Sequence, residues 1–530
     1  MMGVSVEIRE PLKRISNYSL AILLILLSPS FAFVSLAQDA DEIPSPEVER
    51  RTTRKLLQDA ERSLRRGDLR EGERLLKLAI ASAGEDPFPK LRLAQLYAKD
   101  RRLIEAYDLA FPIATAEPKN AYALAVVGST MLGVGRFRDA RALFFNALSL
   151  DRKLAYAWHG FGLLEFYENR VDESLNNLRE AVFHAPNEPD YVFSLAQVSA
   201  RSERYKAAAE AYHRFLDLSR DTDDERRARI KGLINFLKYL GDRQSLYTIA
   251  GSDKTTVPIR VTGNRPMLSL SVNNRPEPLS FVLDTGSGIS VISEQTAKRL
   301  KIRPITRGGF AKGIGGDGRF EIVYGFLREV KIGNIIIRNV PVYIRRFHSE
   351  GQAVDGYIGL SLISKFITTL DYGAETFSLS RSTEASTAVD ESIALPLRLT
   401  SSGFLSGQVQ LEGVEAPLNF IVDTGASVSV ISDEVASLDA VSPHVTDQKM
   451  RVIGSAGVTE GVKSFQLPSL SFGTHSQKDI TAIALDLNII NEASGFQQAG
   501  ILGGNFLKNF RMTFDFRNSR VTFFPNAVDQ

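Results

Sequence analysis

Hydrophobic and polar positions change rhythm along this 530-residue chain. From Ser19 to Ala37 they form one apolar stretch, SLAILLILLSPSFAFVSLA, with Lys13 and Arg14 close before it. Between about 50 and 250, small and apolar residues recur at helical spacing. At about 251 this gives way to Val/Ile/Phe alternation between Gly and Pro turns, as in VPIRVTG, LSLSV, EVKIGNIII and RVTFF. The pattern predicts a leader, then an all-α region, then an all-β region.

The leader has a basic region, an apolar region and small residues at Ser35 and Ala37, the layout of an export signal over residues 1–37. Cleavage after Ala37 leaves a polar linker, 38–52, and an exported protein, periplasmic or secreted. The stretch nearly spans a bilayer, although Pro29 interrupts it. An uncleaved anchor facing away from the cytoplasm is the alternative, and membrane contact is expected only in that case.

In the helical region a 34-residue period is plain. One small position recurs as Ala94, Gly128, Gly162 and Ala196, and a second as Ala106, Ala140, Ser174 and Ala208. Pro118 and Pro186 stand two periods apart, and Trp158 precedes Gly162 by four residues. Two antiparallel helices approach closely only where the facing positions lack bulk, and Pro ends the second helix. The pattern resembles the tetratricopeptide repeat. Four repeats fit at 87–120, 121–154, 155–188 and 189–222, with a degenerate one at 53–86 and a closing helix over RIKGLINFLKYL, so the array spans 53–250. Such a solenoid implies a protein partner on the repeats, whose identity the period does not reveal.

Composition narrows the chemistry. Lys+Arg is 64 against Asp+Glu 62, a net of +2, which gives no sign of nucleic-acid binding. Cysteine is absent, so disulfides, thiolate metal sites and a cysteine nucleophile are excluded. The six His form no H-E-x-x-H cluster, and neither a metal site nor a cofactor is expected. KGIGGDG lacks the G-K-[ST] ending of a phosphate loop.

The β-rich region is duplicated. FVLDTGSGISVIS (281–293) matches FIVDTGASVSVIS (420–432), placing Asp284 and Asp423 139 residues apart. KGIGGDGRF parallels RVIGSAGVT at the same offset. DGYIGLSLISKFITTLDY (355–372) parallels QAGILGGNFLKNFRMTFDF (498–516) at an offset of 144. Together these ordered blocks resemble the aspartic protease superfamily, nearest its retropepsin-like group, fused in tandem as in pepsin-like enzymes. The resemblance covers 255–528 and implies an all-β, pseudo-twofold bilobal fold, with lobes at 255–380 and 393–528 and a linker at 381–392.

It also implies site residues. Asp284 and Asp423 match the catalytic pair, and Thr285 and Thr424 the threonines that lock the loops together. Gly286 and Gly425 match the turn glycines, followed by Ser287 and Ala426. Gly313, Ile314, Gly315, Gly316, Ile453, Gly454 and Ser455 fall in the flaps. Tryptophan and tyrosine are absent from these flaps, which favours the retropepsin-like branch. The chemistry is independent of the resemblance. Two carboxyl groups held together cannot both ionise cheaply, so they share a proton; one activates water and the other polarises a carbonyl.

The expected function is an exported aspartic endopeptidase acting on peptide or protein substrates, a monomer with an internal pseudo-dimer. The alternatives are a non-catalytic peptide- or protein-binding scaffold of the cell envelope, and an enzyme whose D-T-G loops pair between chains. Three finer expectations follow. Ser287 would hydrogen-bond a carboxylate and make Asp284 the more easily ionised member. Arg345, Arg346 and His348 would form a solvent-exposed basic loop. Asp371 and Asp515 would be structural.

Overall fold

The computed structural model describes residues 46–219, 224–242, 246–316, 318–348, 354–381 and 394–526. The leader, the first part of the 38–52 linker and residues 382–393 between the lobes lie outside them.

Eleven helices lie between Pro46 and Gly241 among the described residues. They form antiparallel hairpins whose first helices begin at Ala121, Ala155 and Pro189, spaced by the period. The two small positions of one repeat meet: Ser174 Oγ donates to the Gly162 carbonyl at 2.7 Å, and a Cβ on Gly162 would lie 2.7 Å from Leu178 Cγ. The turns repeat as well. Gly67, Arg101, Gly135, Asn169 and Glu203 all hold left-handed backbone, φ between 60° and 82°, so residues 53–86 share the turn geometry of the repeats that follow. The helix Asp224–Gly241 does more than close the array. Ile230, Ile234 and Leu237 cover the last hairpin, while Phe236 and Leu240 pack against Tyr324 of the β-rich region.

The β-rich region holds a nine-stranded sheet, an eight-stranded sheet and a six-stranded sheet. The first two are related copies. In one, Leu279–Leu283 runs parallel to Gly356–Ile358 with Phe281 opposite Gly356; in the other, Leu418–Val422 runs parallel to Gly500–Leu502 with Phe420 opposite Gly500. A Cβ on either glycine would come within 2.3 Å of the facing phenylalanine ring, so the ring excludes any larger residue. The six-stranded sheet joins the copies. At its centre Ile367–Asp371 lies antiparallel to Phe510–Asp515, with Thr369 opposite Thr513 and their hydroxyls 3.0 Å apart. The pseudo-twofold axis passes through that pair. Asp371 and Asp515 each accept a backbone N–H at a strand end, from Ala374 and Asn518, a structural use.

The array docks on both copies. Phe496 is fully buried between the Phe137 and Tyr167 rings. Asn169 donates to the Phe516 carbonyl at 2.9 Å. Arg201 stacks on Phe166 and donates to the Thr400 and Ser401 carbonyls at 2.6 and 2.8 Å. On the other copy, the helix Asp224–Gly241 lies so close to the strand Thr306–Lys312 that a Cβ on Gly232 would be 2.5 Å from the Arg307 carbonyl.

Candidate active site

Each D-T-G loop follows a buried strand. Phe281 and Leu283, and Phe420 and Val422, enter the core and fix where the next residue emerges. The N–H of Asp284 donates to the Ile358 carbonyl, and that of Asp423 to the Leu502 carbonyl, both at 3.0 Å. The loops therefore leave equivalent strands in equivalent directions and meet at the pseudo-twofold axis.

The fully buried threonines join them. Thr285 Oγ1 donates to the Val422 carbonyl at 2.7 Å and accepts the Thr424 N–H at 3.1 Å. Thr424 Oγ1 donates to the Leu283 carbonyl at 2.6 Å and accepts the Thr285 N–H at 3.2 Å. Four hydrogen bonds thus cross between the copies, and each hydroxyl is used in both directions.

This junction brings the two carboxyls together: a Cβ on Gly425 would lie 2.8 Å from Asp284 Oδ1 and 3.0 Å from Asp423 Oδ1. The glycine of each loop faces the opposite aspartate: a Cβ on Gly286 would lie 2.4 Å from Asp423 Cγ, and one on Gly425 2.8 Å from Asp284 Cγ. Their N–H groups support the carboxyls, Gly286 donating to Asp284 Oδ1 at 2.9 Å and Gly425 to Asp423 Oδ1 at 2.7 Å.

Burial raises both acids above the ordinary carboxylate range, and the adjacent Asp423 charge pushes Asp284 up further. At Asp423 the hydrogen bond from Asp284 and the N–H groups of Gly425, Ala426 and Gly286 oppose that rise. The pair is built to hold one proton between its two carboxyls. The hydrogen bond expected from Ser287 to a carboxylate is not made. Ser287 Oγ donates to the Ile289 carbonyl at 2.7 Å, so its hydroxyl is engaged away from the carboxylates.

The flap residues roof the site. The hairpins Thr306–Lys312/Arg319–Ile332 and Val445–Ile453/Val458–Phe472 bring their tips together. The Ala456 N–H donates to the Ile314 carbonyl at 2.8 Å, and the Gly316 N–H to the Val458 carbonyl at 3.3 Å. Gly315 has φ 91°, and a Cβ there would strike the Gly457 carbonyl at 2.2 Å, so both backbone and space call for glycine. Gly313 and Ser455 also meet across the tips.

Beneath the tips is a cavity of about 1910 Å³ that contains both aspartates. The array supplies part of its wall, including Arg201, Tyr205 and Arg229. No motif in the repeat period marked these residues as site-lining. Arg345 is a second correction. It ends the strand Ile335–Arg345, pairs in register with Ser293, stacks over Phe320 at 4.8 Å and lines the cavity. Arg346 is exposed, and the half-buried His348 also lines the cavity.

The family model described as aspartyl protease matches residues 268–362 and again 407–506. A search of curated proteins returned no match. Among solved structures, the chain is similar to an aspartic proteinase from Irpex lacteus, at 14% identity over 52% of this chain and 98% of that one, TM-score 0.35. It is also similar to a thermophilic TPR protein of Thermus thermophilus, at 16% identity over 34% and 98%, TM-score 0.30. A third is MamA from Desulfovibrio magneticus, at 21% identity over 33% and 98%, TM-score 0.22. With both loops, both flaps and two matches in hand, the β-rich half carries two tandem copies of the aspartyl protease domain, joined to a tetratricopeptide-like solenoid.

Proposed function

We propose that this protein is an aspartic endopeptidase in which Asp284 and Asp423 of one chain form a single catalytic pair. The observation that carries the reading is the pair itself: two half-buried carboxyls from duplicated loops, each packed against the other loop's glycine on the floor of a roofed cavity.

The chemistry follows from the shared proton. Ionised Asp423 takes a proton from a water as its oxygen attacks the peptide carbonyl carbon, and protonated Asp284 gives its proton to the carbonyl oxygen. The tetrahedral diol collapses as Asp423 passes its proton to the departing nitrogen and the C–N bond breaks. A diol proton returns to Asp284, leaving an acid, an amine and the pair in its starting state. A covalent enzyme intermediate is unnecessary.

The array, as part of the cavity wall, positions protein substrates toward the cleft. The leader supports export, with the enzyme working in the periplasm or outside the cell. The test is digestion of an unfolded protein by the purified chain beside Asp284→Asn and Asp423→Asn. Cleavage by the wild type and loss in both variants is expected. Binding of the unfolded chain without cleavage would favour a scaffold.

A further inference from the structure

The two sides of the cleft are related by the pseudo-twofold axis but differ in chemistry. Register identifies three equivalent pairs of wall positions. Arg345 pairs with Ser293 as Leu485 pairs with Ser432. Tyr357 pairs with Val282 as Ile501 pairs with Ile421. Arg265 stands two residues before Met267, the partner of Val282, as Phe404 stands two before Ser406, the partner of Ile421. All six line the cavity. The first copy therefore presents Arg, Tyr and Arg where the second presents Leu, Ile and Phe.

The second side is a plain apolar surface, where Ile421, Ile483 and Ile501 cluster and Phe404 and Leu485 extend them. The first side holds two guanidiniums that no salt bridge ties down. Among the described residues neither Arg265 nor Arg345 has an ion-pair partner, and the Nε of each is buried without a hydrogen bond. Both side chains are half-buried, and a guanidinium does not shed its proton, so each buried Nε calls for an acceptor. The aspartate pair, holding one proton, carries one negative charge against two guanidinium charges. Of the other carboxylates that line the cavity, Glu203, Glu225 and Asp172 are held by Lys365, Arg319 and Arg204, and Glu173 and Glu492 lie on the wall as well.

We propose that the cleft selects peptides with an acidic side chain on one side of the scissile bond and an apolar side chain on the other. Arg265 and Arg345 bind the carboxylate, and Phe404, Leu485 and Ile501 take the apolar partner. An extended substrate crossing the axis places residues on either side of the cut against these related walls. The inference rests on the protease reading for the cut itself, whereas the selectivity is a property of the walls.

The test uses the full chain and matched peptides carrying Leu–Glu, Leu–Gln or Leu–Lys at the centre, and the same pairs reversed. Cleavage is followed with the wild type, and binding with Asp423→Asn by fluorescence anisotropy. In one of the two orders, Glu is expected to exceed Gln by about 10- to 100-fold in kcat/KM and in affinity, the range for a hydrogen bond to a charged group. Arg345→Leu, which installs the second copy's residue, should bring that ratio below about threefold, and Arg345→Glu should turn the preference toward Lys. A Glu-to-Gln ratio near one in both orders overturns the proposal, and with peptides still cut it leaves hydrolysis standing. Glu-selective binding without cleavage supports the acidic subsite and overturns the hydrolytic reading. Peptides neither bound nor cut overturn both.

Discussion

Gly286→Ala is a one-methyl probe of the aspartate pair. Gly286 is not in the left-handed region, so alanine fits the backbone without strain. What it meets is the opposite copy: the new Cβ would lie 2.4 Å from Asp423 Cγ and 2.5 and 2.7 Å from its oxygens. Ordinary contacts of this kind are about 3.5 Å or longer, so the Asp423 carboxyl must retreat by about 1 Å. A displacement of that size costs about 100-fold in rate, and overpacking costs about 1–3 kcal/mol of stability. Gly425→Ala is the mirror change, but its nearest atoms of Asp284 are 2.8 Å away, so its loss should be nearer tenfold. The assay is kcat/KM on a fluorogenic peptide, with melting followed by circular dichroism to show that the fold survives. Gly286→Ala at wild-type activity, or Gly425→Ala the more damaging of the two, would refute the reasoning.

Other outcomes follow from the same geometry. Thr424→Val leaves the Leu283 carbonyl and the Thr285 N–H without their cross-copy partner, costing about 2–5 kcal/mol in urea unfolding; Thr424→Ser should restore most of it, and a Val variant of native stability would contradict the junction. Both acids are raised in the folded protein, so the stability linked to their protonation is present below the unfolded pKa and lost as pH rises through the folded values. Asp284→Asn should therefore raise Tm at neutral pH and change it little near pH 4, about the unfolded carboxylate value; scanning calorimetry at both pH values checks this. Because the Ser287 hydroxyl serves the Ile289 carbonyl, Ser287→Ala should leave the acid limb of the pH–rate profile in place, and a moved limb would return that hydroxyl to the pair. Arg201→Ala removes the donor to two backbone carbonyls, and proteolysis should then open the seam between array and protease domains first.

How much of this was legible in the chain depends on the range of the interaction. The helical period, the β duplication and the two D-T-G loops are local patterns repeated at fixed offsets, and repetition is what made them readable. The Thr285–Thr424 junction was legible for the same reason, as each copy supplies the same motif. Ser287 misled because residue type shows that a hydroxyl is present but not which acceptor it reaches; the Ile289 carbonyl two residues on is nearer to hand. Arg345 misled because RRFH reads as a charged loop, whereas the strand continues to Arg345 and Phe320 of the flap packs over it. The docking of the array was silent: Asn169 meets Phe516, and Arg201 meets Thr400, across gaps of 347 and 199 residues that no periodicity marks. The repeat turns hid their shared backbone behind unlike residues, with Gly, Arg, Asn and Glu all in left-handed geometry.

The most direct test of the central claim is a mixing experiment with Asp284→Asn and Asp423→Asn, each purified from its own source and assayed alone and combined on one peptide. Two acids meeting within one chain predict that both variants are inactive and that the mixture stays inactive at every ratio and time. Turnover by either variant alone, or activity that appears on mixing, would contradict it.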